Sequence, residues 1–157
     1  MVGTRAPQPA PGAGAAVTHP RRSLGGCPPP VVPEPRSLRL LREAREHLER
    51  LTPQQAHREQ QDGAIGVDVR TEEHRRHAPG IPGSLVIDLT VLPWRIPEAV
   101  SADQRWILVC RHGYSTSVAA WTLQRTGLTA VTDVIGGFEA WQAAGLPTIV
   151  DAPDVRQ

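Results

Sequence analysis

Residues 105–117 read RWILVCRHGYSTS. Ile107, Leu108 and Val109 form a short apolar run, the pattern of a strand buried on both faces of a sheet. The run stops at Cys110, and a polar segment with one glycine follows. From Ser115 or Thr116 the pattern turns helical, with a hydroxyl residue placed to cap the first turn. The thiol therefore stands where a strand hands over to a helix N-terminus, among unpaired backbone N–H groups and the positive end of a helix dipole. Such a field favours the thiolate and brings a cysteine pKa from about 8.5 toward roughly 3.5–7.5. Arg111 and His112 add positive or partly positive neighbours, and Gly113 lets the backbone fold tightly around the sulfur. A buried structural cysteine needs no such polar segment after it. The pattern points to a nucleophilic cysteine in an anion-binding cradle.

Outward from this segment, strands and helices alternate. Thr52-Pro53-Gln54-Gln55 is a capping box with proline at the first helical position, and Asp62-Gly63 ends the helix it starts. Ala64–Val69 reads as a core strand ending in Asp68 and Arg70. Thr71 caps a short helix over Glu72–His77. Ser84–Asp88 is another apolar run, and Val131–Ile135 a last strand. The helix after the cysteine ends at Gly127-Leu128, and a final one over Phe138–Ala144 ends at Gly145-Leu146, both with the glycine-plus-leucine signature of a Schellman cap. Alternation of this kind implies parallel pairing and a three-layer α/β/α sandwich around a sheet of about five strands.

The remaining segments are read by composition. Residues 1–36 are rich in Pro, Ala and Gly and form an expected disordered tail, Cys27 included. Residues 37–50 read as an amphipathic helix with Leu41, Ala44 and Leu48 on one stripe. Its pairs Arg39–Glu43, Arg42–Glu46 and Arg45–Glu49 fall on the exposed side. The domain proper spans 51–150, and 151–157 is a C-terminal tail. Pro93 and Pro97 make the stretch after Asp88 a loop carrying Trp94 and Arg95, which belongs near the ligand crevice of an open α/β sheet.

Several function classes are excluded at this level. A net charge of +1 over 157 residues gives no electrostatic footprint for nucleic acid or membrane. No apolar run approaches the roughly 20 residues of a membrane span. Two cysteines far apart form neither a disulfide framework nor a metal cluster, so a reducing, cytoplasmic setting is expected. His74, Arg75, Arg76 and His77 lack a carboxylate or cysteine at ligand spacing and read as a solvated helix end rather than a metal site.

Taken in order, VDVR at 67–70, GIPGSLVID at 80–88, CRHGYSTS at 110–117 and GGFEAWQAAGLP at 136–147 resemble the rhodanese-like family of sulfurtransferases. The likeness covers about residues 51–150. It departs at Ser115, where many members carry arginine, and at Gly80, where a histidine is frequent and His77 lies nearby. It also implies a short edge strand near Arg50–Leu51. By resemblance, Cys110 is catalytic and carries a persulfide, and no metal or organic cofactor takes part. Arg111, His112, Gly113, Tyr114, Ser115 and Thr116 would form the substrate cradle, with Asp68, Arg70 and Arg95 in support. The partners would be a small anionic sulfur donor and a thiophilic acceptor, which a protein could supply. Two alternatives stay open: a carrier or docking module of the same fold, and a cysteine-dependent phosphatase. The phosphatase loop resembles C-x5-R, and its arginine position here is Thr116.

Overall fold

The computed structural model describes residues 33–96 and 104–150. The tail expected over 1–36 lies outside these up to residue 32, as do Cys27, residues 97–100 of the loop expected after Asp88, and the tail 151–157. The described elements are α1 (Arg36–Glu46), α2 (Pro53–Gln61), β1 (Ile65–Asp68), α3 (Glu72–Arg76), β2 (Leu85–Val86), α4 (Leu92–Arg95), β3 (Trp106–Val109), α5 (Ser115–Arg125), β4 (Val131–Asp133) and α6 (Gly137–Ala143). The strands form a parallel sheet in the order β2-β1-β3-β4. Four are regular. The edge strand expected near Arg50–Leu51 is present as one parallel bridge, Leu51 to Val134, held by Leu51 N–H to the Asp133 carbonyl and Ile135 N–H to the Leu51 carbonyl.

The side-chain alternation of the strands divides the core in two. Val67, Trp106, Leu108 and Val131 face one way and meet Ala120 and Leu123 of α5 and Leu92 of α4. Ile107, Val109 and Val134 face the other and meet Ala56 of α2 and Phe138 and Trp141 of α6. Helices thus cover both faces, as parallel strands buried on both sides require. Trp106, Phe138 and Trp141 are each 1% exposed, and burying side chains of this size contributes roughly 2–3 kcal/mol apiece. Helix α1 packs its Leu41 and Ala44 toward α5.

Local signals act largely as their chemistry dictates. Thr52 and Gln55 exchange both capping-box bonds, and the Thr71 hydroxyl accepts from His74 N–H. At the ends of α5 and α6, Leu128 N–H reaches the Leu123 carbonyl and Leu146 N–H the Trp141 carbonyl, the long bond of a Schellman cap. Three details differ from expectation. Residues 92–95 form a short helix, because Pro93 sits in its first turn, where a missing N–H breaks no bond. Arg45 turns away from the exposed side of α1 toward the cysteine loop. The N-cap of α5 is Tyr114 with no side-chain cap bond, since the hydroxyls that follow are engaged elsewhere.

Candidate active site

The chain passes from β1 to β2 on one side and from β2 back across β1 to β3 on the other, so the sheet has its switch point between β1 and β3. Loops diverge at the carboxyl ends of such strands and leave a crevice. Cys110 follows β3 there directly. It is 8% exposed and opens a cleft of about 580 Å³. Val69, Arg70 and Thr71 after β1, His74 of α3, Asp88 after β2, and Arg111 and Ser115 contribute to its walls.

The loop presents hydrogen-bond donors to the sulfur. Gly113 N–H donates to Cys110 Sγ at 3.2 Å, and the Thr116 hydroxyl lies 3.3 Å from it. Burial pushes the thiol pKa up. Hydrogen bonds from the Ser115 and Thr116 hydroxyls and from the N–H groups of Thr116 and Gly113 outweigh that and hold it below its ordinary value. Gly113 makes this geometry possible at φ 72°. A Cβ there would stand 2.7 Å from the Val134 carbonyl oxygen, so this turn accepts only glycine without rearrangement.

Behind the loop lies a buried polar network. Arg45 and Arg50 both donate to the Gly113 carbonyl, at 2.9 and 3.2 Å. Arg50 also grips the carboxylate of Asp133 in bidentate fashion, at 2.7 and 3.0 Å. Asp133, fully buried at the end of β4, accepts from the Ser117 hydroxyl at 2.8 Å and stands 3.2 Å from that of Thr116. The carbonyls of Cys110 and Arg111 accept the N–H groups of Phe138 and Glu139 in α6. The loop backbone is therefore held from α1, β4 and α6 together.

A second buried pair stands at the end of β1. Arg70 clamps Asp68 through Nε and Nη2, at 2.6 to 3.0 Å, and stacks over Phe138 at 3.6 Å. Among the described residues, Arg70 Nη1 and His74 Nδ1 are buried without hydrogen-bond partners, and both residues line the cleft. Burial first, and the charges of Arg111 and Arg70 next, hold the His74 pKa below its ordinary value.

The sequence-predicted residues occupy different places. Cys110, Gly113, Ser115 and Thr116 come together at the sulfur. Arg111 lines the cleft, but its Nε donates to Glu139 at 2.6 Å, which holds that carboxyl below the usual carboxylate range. His112 Nδ1 lies 3.5 Å from the same carboxylate at the rim. Tyr114 is exposed, with the Arg45 guanidinium 5.3 Å from its ring. Asp68 and Arg70 form the floor pair just described. Arg95 is exposed at the end of α4 and is not among the residues around the cleft, nor is Trp94, 67% exposed. Arg45, Arg50, Ser117, Asp133 and Glu139 were not expected there. Ser117 and Glu139 fall inside the quoted motifs, but the positions of Arg45, Arg50 and Asp133 carry no signal of it, since Arg50 and Asp133 meet across 83 residues. His77, the nearby histidine, lines the cleft paired with Glu73 at 3.1 Å. Among the described residues no cluster of three or more His, Cys, Asp or Glu could hold a metal ion, and no helix is long and apolar enough to cross a membrane.

A parallel α/β sheet with a thiol cradled at its switch point, backed by the GGFEAW turn that starts α6, defines a class. The chain belongs to the rhodanese-like domain family, matched over residues 52–144. Among curated relatives it is 37% identical over 95 residues to the thiosulfate sulfurtransferase GlpE of Stutzerimonas stutzeri, 60% of this chain and 85% of that one. Among solved structures, a Rhodopseudomonas palustris protein of unknown function, described as a possible tyrosine phosphatase, superposes with a TM-score of 0.66 at 29% identity. That match covers 76% of this chain and 98% of the other. A thiosulfate sulfurtransferase from Pseudomonas aeruginosa shares the fold at TM-score 0.61 and 21% identity, over 71% of this chain and 22% of that one.

Proposed function

We propose that the chain is a sulfurtransferase of the thiosulfate type, working through a persulfide on Cys110. The Cys110 thiolate attacks the sulfane sulfur of thiosulfate, the S–S bond of the donor breaks, and sulfite leaves with the electron pair. The enzyme then carries Cys–S–S⁻. A thiophilic acceptor, cyanide or a thiolate, attacks the outer sulfur and releases Cys110 as thiolate, which splits the transfer into two displacements. The same chemistry serves a protein thiol as acceptor. A reducing cytoplasm suits it, because a free thiolate is the resting state.

One observation carries this assignment: the sulfur faces N–H and hydroxyl donors from Gly113, Ser115 and Thr116. Such donors stabilise a thiolate and its persulfide anion as preorganised dipoles do in an oxyanion hole. Arg111 supplies the positive charge at the cleft wall for the sulfonate of the donor, which has to displace Glu139 to reach it. The similarity to a possible tyrosine phosphatase raises phosphoryl chemistry as the competitor. That chemistry relies on a guanidinium clamping phosphoryl oxygens. The position is Thr116 in this chain, buried against the thiol and Asp133.

The test is the mass of the Cys110 peptide. Thiosulfate is expected to add one sulfur atom to it and cyanide to remove that atom as thiocyanate, with negligible hydrolysis of an aryl phosphate. Cys110-dependent phosphate release without sulfur uptake would overturn the assignment.

A further inference from the structure

We propose that Asp133 is a positioning residue for the reactive thiol, acting through the Thr116 hydroxyl, whose single hydrogen is shared between two competing acceptors. Thr116 Oγ1 lies 3.2 Å from Asp133 Oδ2 and 3.3 Å from Cys110 Sγ, and both Thr116 and Asp133 are fully buried. A hydroxyl donates one hydrogen and accepts through its lone pairs. With Cys110 protonated, the thiol donates to Thr116 and Thr116 donates to the carboxylate. With Cys110 ionised, the hydroxyl hydrogen turns to the sulfur and Asp133 loses that bond.

The surroundings of Asp133 make the second arrangement accessible. Its carboxylate keeps both Arg50 contacts when Thr116 turns away, and the nearer claim on the Ser117 hydroxyl, 2.8 Å against 3.0 Å for the Gly113 carbonyl. No water need enter, since each remaining partner is a protein group already in place. The relay therefore has two settings, and the strength of Asp133 as acceptor decides how readily the thiolate obtains its hydroxyl donor.

Other charges around the thiol come mostly in pairs. Behind the loop, Arg50 faces Asp133 and Arg45 of α1 holds the Gly113 carbonyl. On the cleft side, Arg111 and His112 face Glu139 of α6, and Arg70 faces Asp68 after β1. His74 and the Glu73–His77 pair of α3, with Asp88 after β2, complete the cleft wall. Replacing Asp133 by asparagine removes a negative charge and weakens the competing acceptor. Both effects favour the thiolate, but only the second passes through Thr116. That difference makes the relay separable from simple electrostatics.

The inference rests on Cys110 as the reacting thiol and not on the identity of the donor, so failure of sulfur uptake leaves its test intact. The measurement is the pH profile of iodoacetamide alkylation of Cys110 in the full chain carrying Cys27→Ser. Asp133→Asn is expected to move the midpoint to lower pH, giving about tenfold faster alkylation below the midpoint, the equivalent of one hydrogen bond to a charged group. Thr116→Val is expected to move it upward, and Thr116→Ser to restore it. In the Thr116→Val background, Asp133→Asn should lose at least half its effect. An equal shift in both backgrounds, or no shift in either, would overturn the relay. If Asp133→Asn alone fails to fold because Arg50 is stranded, Arg50→Gln/Asp133→Asn is compared with Arg50→Gln, with and without Thr116→Val, and the same outcomes decide.

Discussion

Gly113→Ala tests the tightness of the cysteine loop. At φ 72° an alanine sits in the left-handed region, which costs about 1–2 kcal/mol. Its Cβ would also stand 2.7 Å from the Val134 carbonyl oxygen and 3.1 Å from both Gly136 N and Arg50 Nη2. Two of the three, the nearest included, are backbone atoms of the chain leaving β4, so the loop itself has to yield, at a further ~1–3 kcal/mol for overpacking. A total of roughly 2–5 kcal/mol corresponds to a fall in Tm of about 10 °C or more in a domain of this size. The same displacement draws Gly113 N–H away from Cys110 Sγ. Loss of a hydrogen bond to a charged acceptor, about 1.5 kcal/mol, lowers the thiolate population near neutral pH by about tenfold. The assay is a thermal melt together with the iodoacetamide rate at Cys110. Gly127→Ala is the control: its φ is 103°, but nothing stands within 4 Å of the added Cβ, so it should lower Tm and leave the thiol rate alone. If Gly113→Ala keeps both the melting temperature and the thiol rate of the parent, the loop is not held as described.

Arg111→Ala should raise KM for thiosulfate by about tenfold with a smaller fall in kcat, the pattern of lost uniform binding, whereas Glu139→Gln should lower KM; steady-state kinetics read both, and an unchanged KM in each would remove Arg111 from the donor site. Because the Cys110 pKa is held below its ordinary value, the unfolded chain binds more protons between the folded and unfolded pKa values. Stability from this group is therefore lost as pH falls through the folded pKa and complete above the unfolded one. The Tm advantage of the parent over Cys110→Ser should accordingly grow as pH rises toward the free-thiol range, and melts across pH that run parallel would contradict it. Asp68→Asn strands the Arg70 guanidinium, whose side chain is fully buried, and should destabilise the fold by about 3–5 kcal/mol. Denaturant unfolding measures that, with the Arg70→Met/Asp68→Leu pair expected to recover much of the loss.

Much of the fold could be read directly because its determinants are local. The Thr52 capping box, the Thr71 cap, the two glycine-leucine helix ends and the apolar run before Cys110 each act within a few residues. The donors of the cysteine loop were legible for the same reason: Gly113, Ser115 and Thr116 lie within six positions of the sulfur. Its rear support was not. Arg45 sits in a charge pattern that suits a solvated helix face, and only the packing of α1 on α5 brings it to the Gly113 carbonyl. Asp133 reads as a polar residue in the last strand until the Leu51 bridge and Arg50 enclose it. Pairing across 83 residues leaves no periodicity to detect. Glu139 belongs to a helix-start motif, and its hold on Arg111 depends on α6 docking against the loop. Arg95 stands outside the cleft walls, since a strand's carboxyl end predicts where a loop departs, not which way its side chains turn.

The loop carbonyls have one consequence for selectivity. Those of Cys110, Arg111 and Gly113 are all occupied, by Phe138 N–H, Glu139 N–H and the two arginines behind the loop. The peptide dipoles around the sulfur are thereby sorted, hydrogens inward and oxygens outward. A cationic or hydrogen-donating molecule entering the cleft meets oxygens already engaged by α6 and by the arginines behind the loop, while the N–H groups of Gly113 and Thr116 are directed at the sulfur. On the proposed function, the site would discriminate by sign through subtraction. The helix that begins at Gly137 sets that polarity as much as the cysteine it faces, so disturbing the start of α6 would loosen the preference for anions before it disturbed the thiol.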